Sequence, residues 1–140
     1  MSEIGYTCKY TPVELLRALG GQPVLLNREA EEFTFSEGVT HNHFCCHAKA
    51  VLEHCKQGGV RQLVLVNCCD SVRRTYDVLL ARGELDFLFL LDLPHHDGPC
   101  ARERLKAELL RLAAEYGAFT GVPFGPAAFR AAFAPPPPLP

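Results

Sequence analysis

Seven cysteines are the side chains of this sequence best suited to chemistry. An odd number argues against complete pairing in disulfides, and thiolates are the soft ligands that iron, zinc and iron-sulfur clusters accept. No two of them have the Cys-x-x-Cys spacing of common structural zinc sites. The pattern therefore indicates metal ligation or thiol chemistry, and the residues are Cys8, Cys45, Cys46, Cys55, Cys68, Cys69 and Cys100.

Histidines accompany these cysteines at two places. His41, His43 and His47 surround the first adjacent cysteine pair in the order His-x-His-x-Cys-Cys-His. They are zinc ligands on one interpretation and surface or helix-capping residues on the other. His95 and His96 follow a predicted strand, where they are candidates for an acid, a base or a ligand, or else solvated loop residues.

The hydrophobic pattern predicts helices and strands in alternation. Thr11 and Glu14 have the spacing of a capping box, and Gly20 would end the helix that they begin. Such alternation predicts an α/β fold, an open parallel sheet with flanking helices of the Rossmann-like or flavodoxin-like three-layer type. The further predicted elements are a buried strand at 23–27, a surface loop at 28–40, a helix at 44–55, a buried strand at 62–67, a helix at 71–82, a buried strand at 86–92 and a helix across 105–116.

Composition sets the wider limits. With 140 residues and 48% hydrophobic content the chain can form one compact core, which we predict over residues 1–118. Residues 119–140 are rich in Gly, Pro and Ala and are predicted to be a tail or a truncated domain boundary. A formal net charge of −2 disfavours nucleic acid as a partner. The absence of a long apolar run or a signal-peptide core favours a cytoplasmic protein without a membrane partner.

The predicted elements place several cysteines at one edge of the sheet. Ligand sites of open parallel sheets lie beyond the carboxyl ends of the strands, and Cys69 follows a buried strand and precedes a helix. Cys45 and Cys46 lie at the start of the preceding helix, where the helix dipole also favours a thiolate. Alternation along the strand predicts that one of Cys68 and Cys69 packs while the other lines the site. Helical spacing places Cys55 in the core.

Four blocks of the sequence, in order, resemble the 2-hydroxyacyl-CoA dehydratase family. The first is GYTCKYTPVELL at 5–16, and the second is CCHAKA at 45–50. The third is NCCDSVRRTY at 67–76, and the fourth is LDLP at 91–94. Together they cover about residues 5–118, on helices and strands that suit the resemblance.

The resemblance implies a cofactor and its ligands. The expected cofactor is a 4Fe-4S cluster, or the larger cluster of the related double-cubane proteins, held partly by Cys45 and Cys69. Cys8 lies in the matching first block, and Cys46 is the alternative to Cys45 should the register differ by one residue. Both are therefore further candidates for cofactor binding.

The resemblance also implies a reaction and partners. In the family an ATP-dependent activator, itself an iron-sulfur protein, supplies one electron that reaches the thioester carbonyl of a 2-hydroxyacyl-CoA. The resulting ketyl radical expels the 2-hydroxyl as water and yields a 2-enoyl-CoA. His95, His96 and His47 are the candidate proton donors for such a lyase.

Length sets this chain apart from the family, whose subunits carry a second α/β domain. A second dehydratase subunit or a missing C-terminal domain is therefore expected as a partner, and the chain alone is not expected to be a complete catalyst. Two alternatives stay open: a double-cubane-type reductase domain that transfers electrons without dehydration, and a non-catalytic structural or partner-binding fragment.

Overall fold

The computed structural model describes residues 2–135. Four strands and six helices alternate along most of this range. In chain order they are β1 (Ser2–Tyr6), α1 (Val13–Ala18), β2 (Gly21–Leu25), α2 (Thr34–Val39), α3 (Cys46–Lys56), β3 (Gln62–Val66), α4 (Asp70–Arg82), β4 (Phe87–Leu91), α5 (Pro99–Thr120) and α6 (Pro126–Ala131).

The four strands form a single parallel sheet in the order β2-β1-β3-β4. In β1 and β3 the paired residues include Tyr6 and Val64, and β3 pairs with β4 from Gln62 opposite Phe87 onward. The predicted α/β fold with an open parallel sheet is confirmed. Because the chain adds β2 on one side of β1 and then β3 on the other, the strand order reverses between β1 and β3.

Side chains that alternate along the strands build two cores, one on each face of the sheet. Val64 and Val66 of β3 pack with residues of α1 and α5. Leu63 and Leu65 of the same strand pack with residues of α3 and α4. All five residues of β3 are buried, as the continuous apolar run predicts for a strand covered on both faces.

The sequence pattern misplaces two strands. β1 was not predicted, because its five residues include only Ile4 as a strong apolar signal and Gly5 weakens strand propensity. Ile4 is nevertheless fully buried in the central region of the sheet. The second strand spans Gly21–Leu25 rather than 23–27 and is not buried, because it lies at the sheet edge, where Leu25 is exposed.

Local structure differs from the prediction at two further places. The polar segment predicted as a loop contains α2, which is joined to α3 by a buried hydrogen bond of 2.7 Å from the Ser36 N–H to Glu53 Oε1. The capping box does not form, because Pro12 is the N-cap of α1 and Thr11 lies outside the helix. The Thr11 hydroxyl is buried without a hydrogen-bond partner among the described residues.

Residues 119–131 contain helical structure that their composition does not indicate. α5 continues to Thr120, and α6 follows with Phe129 packed against the core of α1 and α5. The proline tract at 136–140 lies outside the described residues, and the tail or truncated domain boundary predicted for 119–140 stays a prediction. None of the described helices combines the length and apolar character that crossing a membrane requires.

Candidate functional site

The candidate site lies at the carboxyl ends of β1 and β3, where the strand order reverses. Cys8 follows β1 after one intervening residue, and Cys68 follows β3 in the same way. In parallel α/β sheets a crevice opens at this position, because the connections from the two strands leave toward opposite faces. The topology therefore brings the cysteines of the first and third family-like blocks to one edge.

The turn after β3 presents two thiols. β3 ends at Val66, and Cys69 is the extended N-cap residue of α4 with φ −159° and ψ 167°. Both Cys68 and Cys69 are exposed, so the prediction that one of them packs is wrong. The reason is that strand alternation stops at Val66 and no longer governs the turn.

The Cys68 thiol interacts electrostatically with the thiols of Cys69 and Cys8. The pKa of the Cys68 thiol is raised by limited burial and then by the neighbouring thiols of Cys69 and Cys8. Cys8 is half-buried and packs against the core formed with α1 and α5. A negative charge on either neighbouring thiol thus disfavours ionisation of Cys68.

The first cysteine pair begins α3 at the same edge. Cys45 is the N-cap residue and Cys46 the first helical residue, and both are exposed. The Cys45 N–H donates a hydrogen bond of 3.4 Å to the hydroxyl of Ser71, which lies in the first turn of α4. This contact joins the segment that carries Cys45 to the helix that Cys69 begins. Sequence reasoning missed Ser71, since only its proximity to Cys45 in space gives it this role.

A polar network supports the edge from the side of β4. The side chain of Asn67, which is buried, donates to Asp92 and accepts a hydrogen bond of 2.8 Å from the Leu93 N–H. Asp92 also accepts from Arg104 of α5. Sequence reasoning missed Asn67 as a site residue, although a polar residue that ends a fully apolar strand is a usable signal.

Glu108 and Arg111 extend this network along α5. The Asp92 N–H donates to Glu108 Oε2 at 3.0 Å, and Arg111 donates both to Glu108 at 2.8 Å and to the Leu90 carbonyl at 2.9 Å. The hydrogen bond from Arg111 lowers the pKa of the Glu108 carboxyl below its ordinary value. The carboxylate therefore stays ionised and keeps the end of β4 attached to α5.

The remaining candidates lie apart from this arrangement or face solvent. His47, His95 and His96 are exposed, with His47 in the first turn of α3 and the other two in the loop after β4. Cys100 is exposed in the first turn of α5. Cys55 is buried, as predicted, and burial raises the pKa of its thiol to about 12.

The histidines near the first cysteine pair do not form a metal site with it. His41 and His43 are exposed, and their rings stack with centroids 5.2 Å apart. Within residues 2–135 no group of three or more His, Cys, Asp or Glu side chains is arranged to hold a metal ion. The zinc interpretation of the His-x-His-x-Cys-Cys-His segment therefore has no geometric support in this range.

The thiols are ligands of the kind that an iron-sulfur cluster accepts, but the described residues do not form a complete set of ligands for one. Cys45 and Cys69 are exposed N-cap residues of two helices, and cysteine is the side chain that holds such clusters. A cleft of about 500 Å³ lies beside Glu3, His54 and Arg61, and no cysteine lines it. The candidate thiols thus lie at the carboxyl edge of the sheet and outside this cleft.

Comparison with known families decides the assignment. A family model described as 2-hydroxyglutaryl-CoA dehydratase, D-component, matches residues 8–134. The chain belongs to this dehydratase family. The resemblance expected from the four sequence blocks is confirmed, and membership supports a dehydratase-type role that involves other dehydratase components. No curated protein matches the sequence.

Proposed function

We propose that this chain is the iron-sulfur domain of a 2-hydroxyacyl-CoA dehydratase, a lyase that forms 2-enoyl-CoA. The observation that carries the proposal is the gathering of thiols at the strand-order reversal. Cys8 and Cys69 follow adjacent parallel strands, and Cys45 is joined to the helix that Cys69 begins. Membership of the dehydratase family is the basis for the type of reaction proposed at this edge of the sheet.

Cys45 and Cys69 are the proposed ligands of a 4Fe-4S cluster. Both sit at helix N-caps, where unpaired backbone N–H groups and the positive end of the helix dipole favour a bound group of negative charge. Cys8 and Cys46 are the further candidates within the same edge. A bound cluster would supply single-electron chemistry at the thioester carbonyl of the substrate.

The protein's own contribution is to hold and shield this centre. The residues described here provide no three-donor group, so the proposal assigns the remaining ligands to a second dehydratase subunit or a C-terminal domain. That unit would also exclude water from the open edge and form most of the acyl-CoA pocket. An ATP-dependent activator protein is the proposed electron donor.

Proton delivery is assigned to histidines of the same edge. His95 and His96 follow β4, and His47 lies in the first turn of α3. All three are exposed, so each would reach the substrate only after the edge is covered. Histidine is the side chain that most often transfers protons in enzymes, and here it would donate one to the leaving hydroxyl.

Anaerobic reconstitution with iron and sulfide tests the cofactor assignment. The Cys45→Ser and Cys69→Ser variants are expected to lose iron and the visible absorption of the cluster. Cys100→Ser is the matched control, because Cys100 is an exposed thiol at a helix start with no assigned role. Iron binding that is unchanged in both test variants would overturn the assignment.

A second experiment separates dehydration from electron transfer alone. The reconstituted chain is combined with an activator, ATP, a reductant and a partner dehydratase component, and 2-enoyl-CoA is measured from a 2-hydroxyacyl-CoA. The proposal predicts product that depends on every component. Reduction of small substrates such as acetylene without dehydration would instead favour a double-cubane-type reductase.

A further inference from the structure

We infer that Asn67 is a positioning residue that fixes the Cys68–Cys69 turn against β4 and α5. The inference rests on the proposed function for its link to a cofactor, whereas its structural part stands on hydrogen bonds of the chain itself. Asn67 is the last residue before the two thiols and is 4% exposed. A polar side chain buried to this degree must be satisfied by partners within the protein.

The Asn67 side chain forms hydrogen bonds with the two residues that follow β4. Its amide group donates to Asp92 and accepts from the Leu93 N–H at 2.8 Å. Its own backbone N–H donates to the Leu91 carbonyl at 3.1 Å. Three hydrogen bonds therefore attach one residue of the β3 turn to three consecutive residues, the last residue of β4 and the two that follow it.

The attachment continues into α5. Asp92 accepts from Arg104, and its backbone N–H donates to Glu108, which is held in turn by Arg111. Asn67 is thus the point where the network of α5 meets the turn that carries the thiols. A residue linked only to its own strand would not fix the turn in this way.

The hydrogen bond within the Cys68–Cys69 turn itself is local. The Cys68 N–H donates to the Val66 carbonyl at 2.7 Å, a tight turn within the segment. Cys69 then adopts the extended conformation from which α4 begins. Without the Asn67 side chain, the segment keeps its covalent link to β3 and the backbone hydrogen bond to Leu91 but loses the two side-chain hydrogen bonds to Asp92 and Leu93. The orientation of the two thiols would then vary.

Four variants of the full chain test this role. Asn67→Ala removes the two side-chain hydrogen bonds to Asp92 and Leu93, and Gln62→Ala is the control. Gln62 is also a buried polar residue of β3, at the opposite end, where it accepts a hydrogen bond of 2.9 Å from the Tyr116 hydroxyl. N67D keeps the size but sets two carboxylates against each other, and N67D/D92N restores one donor opposite one acceptor. If Asn67→Ala fails to fold, the last two variants still decide the question.

Amide hydrogen exchange on the iron-free chain is the first measurement. Loss of a buried hydrogen bond should speed exchange at residues 67–69 by about fivefold or more in Asn67→Ala and N67D. Gln62→Ala should leave these amides unchanged, and N67D/D92N should return them toward the wild-type rate. Equal exchange in Asn67→Ala and Gln62→Ala, or no rescue by the double variant, would overturn the inference.

Iron loss to a chelator and the spectrum of the bound cluster are the second measurement. Asn67→Ala should release iron several-fold faster than Gln62→Ala at matched global stability, with a changed electron paramagnetic resonance signal. Equal release and identical signals in the two variants would overturn the link to the cofactor. A wild-type chain that binds no iron would overturn the proposed function, while hydrogen exchange would still decide the role of Asn67.

Discussion

Cys55 provides a sharp test of which thiols are structural. It lies on the inner face of α3 with Val51 and Leu52, and burial raises the pKa of its thiol from 9.0 to about 12. Only the thiolate reacts with alkylating agents. At about pH 8 the thiolate fraction is about one in ten for a thiol of pKa 9.0 and about one in ten thousand for Cys55.

The thiolate fraction is thus about a thousandfold lower at the raised pKa, and the greater nucleophilicity of a more basic thiolate offsets part of this, so the raised pKa of Cys55 should slow its alkylation by about 30- to 60-fold. Restricted access would slow it further. The assay is timed reaction with iodoacetamide under native conditions, followed by mass spectrometry of the peptides that contain Cys55 and Cys100. In guanidinium chloride the two rates should become similar, which provides the internal control.

A native rate for Cys55 within about threefold of that for the exposed Cys100 would refute the reasoning, because the raised pKa of Cys55 by itself should slow its reaction by about 30- to 60-fold. Cys55 would then have to be accessible to solvent, and there would be no reason to exclude it from the candidate cluster ligands. Slow reaction of Cys55 together with fast reaction of Cys45 and Cys69 would support the division between packed and accessible thiols.

Three further predictions concern stability. Between about pH 9 and 11 the Cys55 thiol is ionised in the unfolded chain but protonated in the folded chain, because burial raises its pKa from 9.0 to about 12. The free energy of unfolding should therefore fall by about 1.4 kcal/mol per pH unit in this range. Urea unfolding of Cys55→Ala should lack this part of the pH dependence. Tyr116→Phe should cost about 1–3 kcal/mol by leaving the buried Gln62 oxygen unpaired, and a double-mutant cycle with Gln62→Leu should recover part of that cost. Gly117→Ala should destabilise by about 1–3 kcal/mol, because its Cβ would lie 2.9 Å from a backbone carbonyl oxygen. Gly38→Ala, with open space around it in α2, should instead gain up to about 1 kcal/mol, as judged by the thermal midpoint.

The sequence predicts the part of the fold in which local pattern and tertiary environment agree. β3 is a continuous apolar run and is buried on both faces, and α3 and α4 carry their apolar residues at helical spacing. β1 was not predicted from the sequence, because its burial follows from its central position in the sheet and not from its composition. A strand so short with one strong apolar residue has no periodicity to detect.

The candidate site was predictable in its location but not in its connections. Position after a strand and before a helix suffices to place Cys69 at the carboxyl edge, since that follows from parallel α/β topology. The strand order is not visible in the sequence, so the reversal beside Cys8 required the structure. The contacts of Ser71 with Cys45 and of Asn67 with Asp92 join residues about 25 positions apart, and no local pattern encodes them.

The most direct test of the account is the iron content of Cys69→Ser after anaerobic reconstitution, measured beside Cys100→Ser and the wild-type chain. Cys69 begins α4 at the strand-order reversal, whereas Cys100 is an equally exposed thiol at the start of α5. The account predicts that Cys69→Ser loses most of its iron and its visible absorption while Cys100→Ser keeps both. Full iron content in Cys69→Ser would contradict the account.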